Sequence, residues 1–123
     1  MFKVIIAGSR EFDNYDMLKE KCDKILSRKV NEGEEIVIVS GTARGADTLG
    51  EKYAEERGYK IERYPANWDK YGKRAGYLRN KKMAEVSNAC IVFLSPKAEN
   101  KGSKMMISIA TEEKLLIRVI TES

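Results

Sequence analysis

The stretch Ile36-Val37-Ile38-Val39-Ser40-Gly41-Thr42-Ala43-Arg44-Gly45-Ala46-Asp47 constrains this chain more than any other. Four consecutive β-branched residues predict a strand buried on both faces. Small residues and two glycines follow, and then an amphipathic helical pattern. A strand that ends in a Gly-rich turn and opens a helix aims unpaired backbone N–H groups at one point. The positive end of the helix dipole lies behind them, so the point favours an anion, usually phosphate.

The rest of the chain repeats this strand-to-helix alternation. Phe2–Ala7 reads as a first strand, followed by a helix capped by Asp13 or Asn14, with Tyr15, Leu18, Cys22, Ile25 and Leu26 at helical spacing. Glu35–Val39 is the second strand, and a helix over Ala43–Arg57 carries Ala46, Leu49, Tyr53 and Ala54 on one face, with Gly58 to end it. Lys60–Tyr64 alternates polar and apolar, as an edge strand does. Pro65–Lys73 is expected to be a polar loop holding aromatic residues, Ala75–Val86 a third helix and Ala89–Leu94 an apolar strand. Ser95–Gly102 is expected to be the longest loop. A helix with Met106, Ile109 and Ala110 inward and a second edge strand, Leu115–Ile120, complete the pattern.

Alternation of this kind implies an α/β fold with a parallel sheet covered on both faces and right-handed crossovers. Putting the two polar-marked strands at the edges gives the order 3-2-1-4-5, with a topological switch between strands one and four. Ligands bind outside the carboxyl ends of the strands at such a point. Three turns are expected to meet there: Gly8-Ser9-Arg10, Ser40–Gly45 and Ser95–Ser103.

Length and composition narrow the chemistry. A chain of 123 residues with 42% hydrophobic and 34% charged residues fits one globular domain, 1–123. No run approaches the roughly 18 to 20 apolar residues of a membrane span, and the N-terminus reads as a strand rather than a signal segment. No membrane partner is therefore expected. Cys22 and Cys90 fall inside a helix and a strand, as small buried hydrophobes, which points to a reducing cytoplasm without disulfides. There is no histidine, so Ser-His and Cys-His triads and His-ligated metal sites are excluded. No metal site and no cofactor is expected. The formal net charge of +4 is unevenly placed: residues 1–56 balance to −3, residues 57–82 to +7 and residues 83–123 to zero. The basic block also holds Tyr64, Trp68, Tyr71 and Tyr77, a mixture that suits phosphates and bases together, or else a solvated helix face.

Each candidate residue has a structural role beside the functional one. Gly8 can serve as a turn and Ser9 as a cap, while Arg10 sits where a guanidinium can fork onto phosphate oxygens. Gly41 and Gly45 can serve tight packing, yet Ser40-Gly41-Thr42-Ala43-Arg44-Gly45 is dense in small residues for that purpose alone. Asp47 is placed to interact with the helix dipole, or to accept from a ribose hydroxyl. Arg79 and Asn80 face the crevice if Met83 and Val86 face inward. Gly102 and Ser103 open the last long helix. Trp68 and Tyr71 are either packing under the loop or a platform for a base.

These residues resemble a known family. Gly8-Ser9-Arg10, Ser40–Asp47, the run from Asn67 to Glu85 and Gly102-Ser103-Lys104-Met105-Met106 look like the YspA branch of the SLOG superfamily, along nearly the whole chain. The superfamily also contains the DNA-processing protein DprA and the LOG phosphoribohydrolases. The resemblance implies a Rossmann-like three-layer sandwich and a pocket for a nucleotide-derived ligand, held by Gly8, Ser9, Arg10, Ser40, Gly41, Thr42, Arg44, Gly45, Asp47, Arg79, Asn80, Gly102 and Ser103. LOG enzymes cleave the N-glycosidic bond of a nucleoside monophosphate with an arginine and a glutamate. Arg79 and Met83 match their Arg-Lys-x-x-Met helix with Asn80 in place of lysine, but the turn at Asn100–Met106 offers no matching carboxylate, so hydrolysis would need Asp47 or Glu99. The likeness to DprA implies single-stranded DNA on the basic block. The leading expectation is a binding module, acting as a sensor, sequestering protein or accessory subunit rather than an enzyme. A second copy of the chain is the other expected partner, through Met105, Met106 and Tyr77.

Overall fold

The computed structural model describes residues 1–122. Strands β1 (Phe2–Gly8), β2 (Ile36–Ser40), β3 (Lys60–Arg63), β4 (Ala89–Leu94) and β5 (Leu116–Thr121) form one parallel sheet in the order β3-β2-β1-β4-β5. This is the order reached by placing polar-marked strands outermost. Val4 pairs with Ile38 on one side and Ala89 on the other, so β1 is flanked by the two most apolar strands. The edges are exposed along most of their length, as alternating or Arg-containing strands require.

Helices α1 (Tyr15–Asn31) and α2 (Ala46–Arg57) cover one face, and α4 (Ala75–Val86) and α5 (Lys101–Glu112) the other. Alternate residues of the central strands feed the two cores. Val4, Ile6, Ile38, Ile91 and Phe93 meet Leu18, Cys22, Leu26, Tyr53 and Ala54, while Ile5, Val39, Cys90 and Val92 meet Met83, Ala84, Met106, Ile109 and Ala110. The layered Rossmann-like α/β fold follows. Of the two caps expected for α1, Asn14 is used: its side chain accepts from the Met17 N–H at 3.1 Å.

Four local expectations change. Helix α2 begins at Ala46 rather than Ala43, because Thr42 (φ 63°) and Gly45 (φ 81°) are left-handed and cannot continue a helix. The segment 65–73 is not simply a loop. It holds the short helix α3 (Trp68–Tyr71), whose N-cap Asn67 accepts from the Lys70 N–H, and a 3-10 turn over Gly72–Arg74. Helix α5 starts at Lys101, so the preceding loop ends at Asn100. Met106, offered as an interface residue, is 2% exposed in the core, whereas Tyr77 stands 43% exposed. The inward stripe Met106, Ile109, Ala110 claims it. Among the described residues no helix is long and apolar enough to cross a membrane.

Candidate functional site

At the carboxyl ends of β1 and β4 the chain direction reverses, and a crevice of about 310 Å³ opens there. Its walls come from four distant parts of the sequence: the turn after β1, the start of α2, the middle of α4 and the start of α5. Gly8 makes the first turn possible, since it has φ 154° and a Cβ there would collide with the Phe93 carbonyl of β4. The chain then turns at Ser9, whose carbonyl accepts from the Ala46 N–H at 3.2 Å and so ties the β1 turn to the α2 N-terminus. Gly45 lies at that contact; a Cβ on it would stand 2.7 Å from Arg10 Cα.

Eight of the expected residues line this crevice: Gly8, Ser9, Arg10, Asp47, Arg79, Asn80, Gly102 and Ser103. Gly41, Thr42 and Arg44 line a second hollow of about 380 Å³, which shares Arg10, Ala43, Trp68 and Arg79 with the first. Ser40 and Gly45 line neither. The Ser40 hydroxyl is fully buried, donating to Glu51 Oε2 at 2.7 Å and accepting from the Thr42 N–H, and Gly45 is spent on the close approach to Arg10. Both shape the loop from behind the two hollows.

Four polar residues of the crevice are at least 94% buried: Ser9 at 3%, Asp47 at 6%, Asn80 at 5% and Ser103 at 5% exposure. Asn80 Oδ1 accepts from Arg79 Nε at 2.7 Å, which fixes its amide, and its NH₂ has no hydrogen-bond partner among the described residues. The Ser103 hydroxyl likewise bonds nothing among the described residues. Arg79 also donates through Nη1 to the Gly41 carbonyl, so its guanidinium is held rigidly across the two hollows. Among the described residues no ion pair engages Arg10 or Arg79, whereas Arg44 is paired with Glu11 at 3.1 Å. Burial lowers the pKa of Arg79, and the neighbouring Asp47 charge offsets part of that. Burial raises Asp47 to about 6, against the Ala43 N–H bond at 3.1 Å and the charges of Arg79 and Arg10, which favour its ionised form.

The first-expected anion site is thus filled in part from within. At the start of α2 the Asp47 carboxylate takes the Ala43 N–H, and Ser9 takes the Ala46 N–H. At the start of α5 no acidic residue stands in the first turn, and Asn100 caps in the left-handed region with its side-chain amide donating backward to the Ser95 and Ala98 carbonyls rather than capping the helix. The first intrahelical acceptance is by Asn100 O from Lys104, so the N–H groups of Lys101, Gly102 and Ser103 are the free donors. Of the carboxylates considered for hydrolysis, Asp47 lies on the α2 wall of the crevice, while Glu99, in the turn before α5, does not line it and stands 3.4 Å from Lys101.

Residues the sequence did not single out as ligand-binding also line the crevice, among them Glu11, Gly76 and Asn100. Asn100 carries the one detectable signal, an asparagine ahead of a helix, which tolerates a left-handed backbone (φ 59°). Trp68 borders both hollows, half exposed, and a Cβ on Gly76 would stand 3.3 Å from its ring. Tyr71 reaches neither hollow. No cluster of metal-ligating side chains occurs among the described residues.

Comparison with known proteins agrees with this architecture. A model of the family described as "YspA, cpYpsA-related SLOG family" matches residues 2–71. The Gene 61 protein of Mycobacterium phage D29 is 31% identical over 99 residues, spanning 76% of this chain and 77% of that protein. The X-ray structure of DNA processing protein A (DprA) from Streptococcus pneumoniae superposes on the whole chain with a TM-score of 0.73 at 22% identity. This chain spans 51% of that structure, and the likeness is one of fold.

Proposed function

The chain belongs to the YspA, cpYpsA-related SLOG family, and we propose that its crevice binds a nucleotide or nucleotide-derived phosphorylated ligand, as a sensor, sequestering or accessory module. One observation carries the reading. Arg10 and Arg79, 69 positions apart in the sequence, flank one crevice in which the Asn80 NH₂ and the Ser103 hydroxyl have no hydrogen-bond partner among the described residues. Donors open to the crevice beside two guanidinium groups that join no ion pair fit an anionic ligand with several acceptors. The free N–H groups at the start of α5 add to them. Charge-assisted bonds contribute roughly 1.5–3 kcal/mol each and association costs about 4–15 kcal/mol. Four or five such bonds with one stacked base therefore correspond to affinity on the order of micromolar.

A thermal-shift screen with nucleotides, cyclic nucleotides and ADP-ribose-type compounds tests this, because a bound ligand raises Tm by mass action. Arg10→Ala, an exposed position outside every ion pair, is expected to weaken the responding ligand at least about tenfold with the Tm of the free protein unchanged. Silence across the screen at high ligand concentration overturns the proposal. The same nucleoside monophosphates, assayed for release of free base, test whether Asp47 supports hydrolysis.

A further inference from the structure

We infer that the outer edge of β5 accepts an extended peptide segment of a partner protein, alternating acidic and apolar residues, as a sixth strand of the sheet. This surface shares no residue with the crevice, so the inference stands apart from the ligand proposed there.

The two edges of the sheet differ. Strand β3 has four residues, of which Lys60, Glu62 and Arg63 are charged, and short, charged edges resist pairing with another chain. Strand β5 has six residues and no proline, with Arg118 its one charge. The Leu116 N–H donates to the Asn88 carbonyl and the Glu122 N–H to the Leu94 carbonyl. Backbone groups alternate in direction along a strand, so Ile117, Val119 and Thr121 aim their N–H and C=O groups outward. No strand among the described residues meets them there. Leu116 is 63% exposed and Val119 46%.

The two faces of β5 set what the added strand must carry. Leu116, Arg118 and Ile120 stand opposite Ala89, Ile91 and Phe93, on the side of α1, while Ile117 and Val119 stand opposite Cys90 and Val92, on the side of α5. Between α1 and β5 lies a groove of about 330 Å³, floored by Val4, Leu26 and Ile91. Three cations line it, Arg28, Lys29 and Arg118, and no carboxylate among the described residues does. Arg28 and Lys29 share Glu32, each at 3.6 Å. Arg118 joins no ion pair among the described residues and donates only to the Ile117 carbonyl. A glutamate on the added strand can lay its methylenes on the apolar floor and its carboxylate among the cations. On the other face, an apolar side chain beside Val119 removes apolar surface from water. Simple alternation satisfies both faces, because successive side chains of a strand point to opposite sides. A second copy of β5 would bring the groove face one carboxylate, Glu122, and one further guanidinium, Arg118, and so no net negative charge.

The test is fluorescence anisotropy with a labelled, end-blocked peptide of about eight residues that alternates valine and glutamate. Saturable binding to the natural chain is expected. Replacing the glutamates by lysine should weaken it at least about tenfold, as should Arg118→Glu, which changes an exposed side chain. Backbone pairing is probed on the peptide, so folding of the chain is not at issue. In antiparallel addition the valines opposite Ile117 and Val119 exchange both backbone bonds with β5, and the glutamates point theirs away. N-methylation of the valines should therefore abolish binding, and N-methylation of the glutamates should leave it within about twofold. Equal binding of the two methylated peptides, equal binding of the lysine peptide, or no binding of the parent peptide overturns the inference. Sedimentation of the chain alone supplies the rival outcome: a dimer that excludes the peptide assigns the edge to a second copy and also overturns it.

Discussion

Helices α2 and α5 start at the same rim of the sheet, after β2 and β4, on either side of β1, yet they end their strands' turns in opposite states. The α2 terminus is closed. Its turn is pulled onto the Ser9 carbonyl, and Asp47 supplies the negative charge that its dipole favours. The α5 terminus is open, with a glycine and a serine in its first turn, no acidic residue and no capping side chain. A Gly-rich turn before a helix is therefore not enough to mark where an anion binds. What distinguishes the two ends is whether the protein has already furnished the anion.

The largest expected effect is on stability at the closed end. Gly45→Ala would place a methyl group against the Ser9 carbonyl and 2.7 Å from Arg10 Cα at φ 81°, with backbone rather than flexible side chain in the way. A loss of about 3 kcal/mol or more in denaturant unfolding is expected. At the open end, Gly102→Ala meets nothing within 4 Å and adopts an ordinary helical backbone, so a change of a few tenths of a kcal/mol, in the stabilising direction, is expected. Similar costs at the two glycines would break the comparison.

The next effect is on binding at the open end. Gly102→Asp gives α5 what Asp47 gives α2, a carboxylate in the first turn, at an exposed position with free space around it. The helix should gain about 0.3–1 kcal/mol, while affinity for a phosphorylated ligand should fall at least about tenfold through like-charge repulsion. Unchanged affinity by calorimetry would place the phosphate away from α5.

This contrast shows where the sequence speaks and where it falls silent. The sheet order was legible because burial imposes a local pattern: Ile36–Val39 and Ala89–Leu94 are continuous apolar runs, while Lys60–Tyr64 and Arg118 carry the marks of an edge. The convergence of Gly8-Ser9-Arg10 with Arg79 on one crevice was legible for the same reason, since topology alone brings strand ends together. The state of the α2 turn was not legible. It depends on contacts across the chain, Gly45 against Arg10 and Ser40 against Glu51, that no spacing within Ser40–Asp47 records. Helix α3 is a different case. Asn67 is a good N-cap residue, and the signal was present but outweighed by the polar composition around it.

The smallest effect, and the finest probe of the difference, is its pH dependence. Only the closed end has a carboxyl group in its first turn, and burial holds Asp47 at about 6, above the usual carboxylate value near 4. A carboxyl raised on folding contributes most to stability while protonated: the contribution is whole below about pH 4 and is lost as pH rises through about 6. Asp47→Asn should therefore remove a decline in stability between about pH 4 and 6 that the natural chain shows. Ligand affinity should follow the same group, since ionised Asp47 shares the crevice with the bound anion and weakens the pull of Arg79. A terminal phosphate itself titrates near pH 6, so the probe must be a diester such as ADP-ribose, whose phosphates stay singly charged. For that probe, affinity in the natural chain should rise about three- to tenfold on lowering pH from 7 to 5, and remain flat in Asp47→Asn. A rise of equal size in both proteins would move the titrating group away from α2 and leave the closed end without influence on the open one.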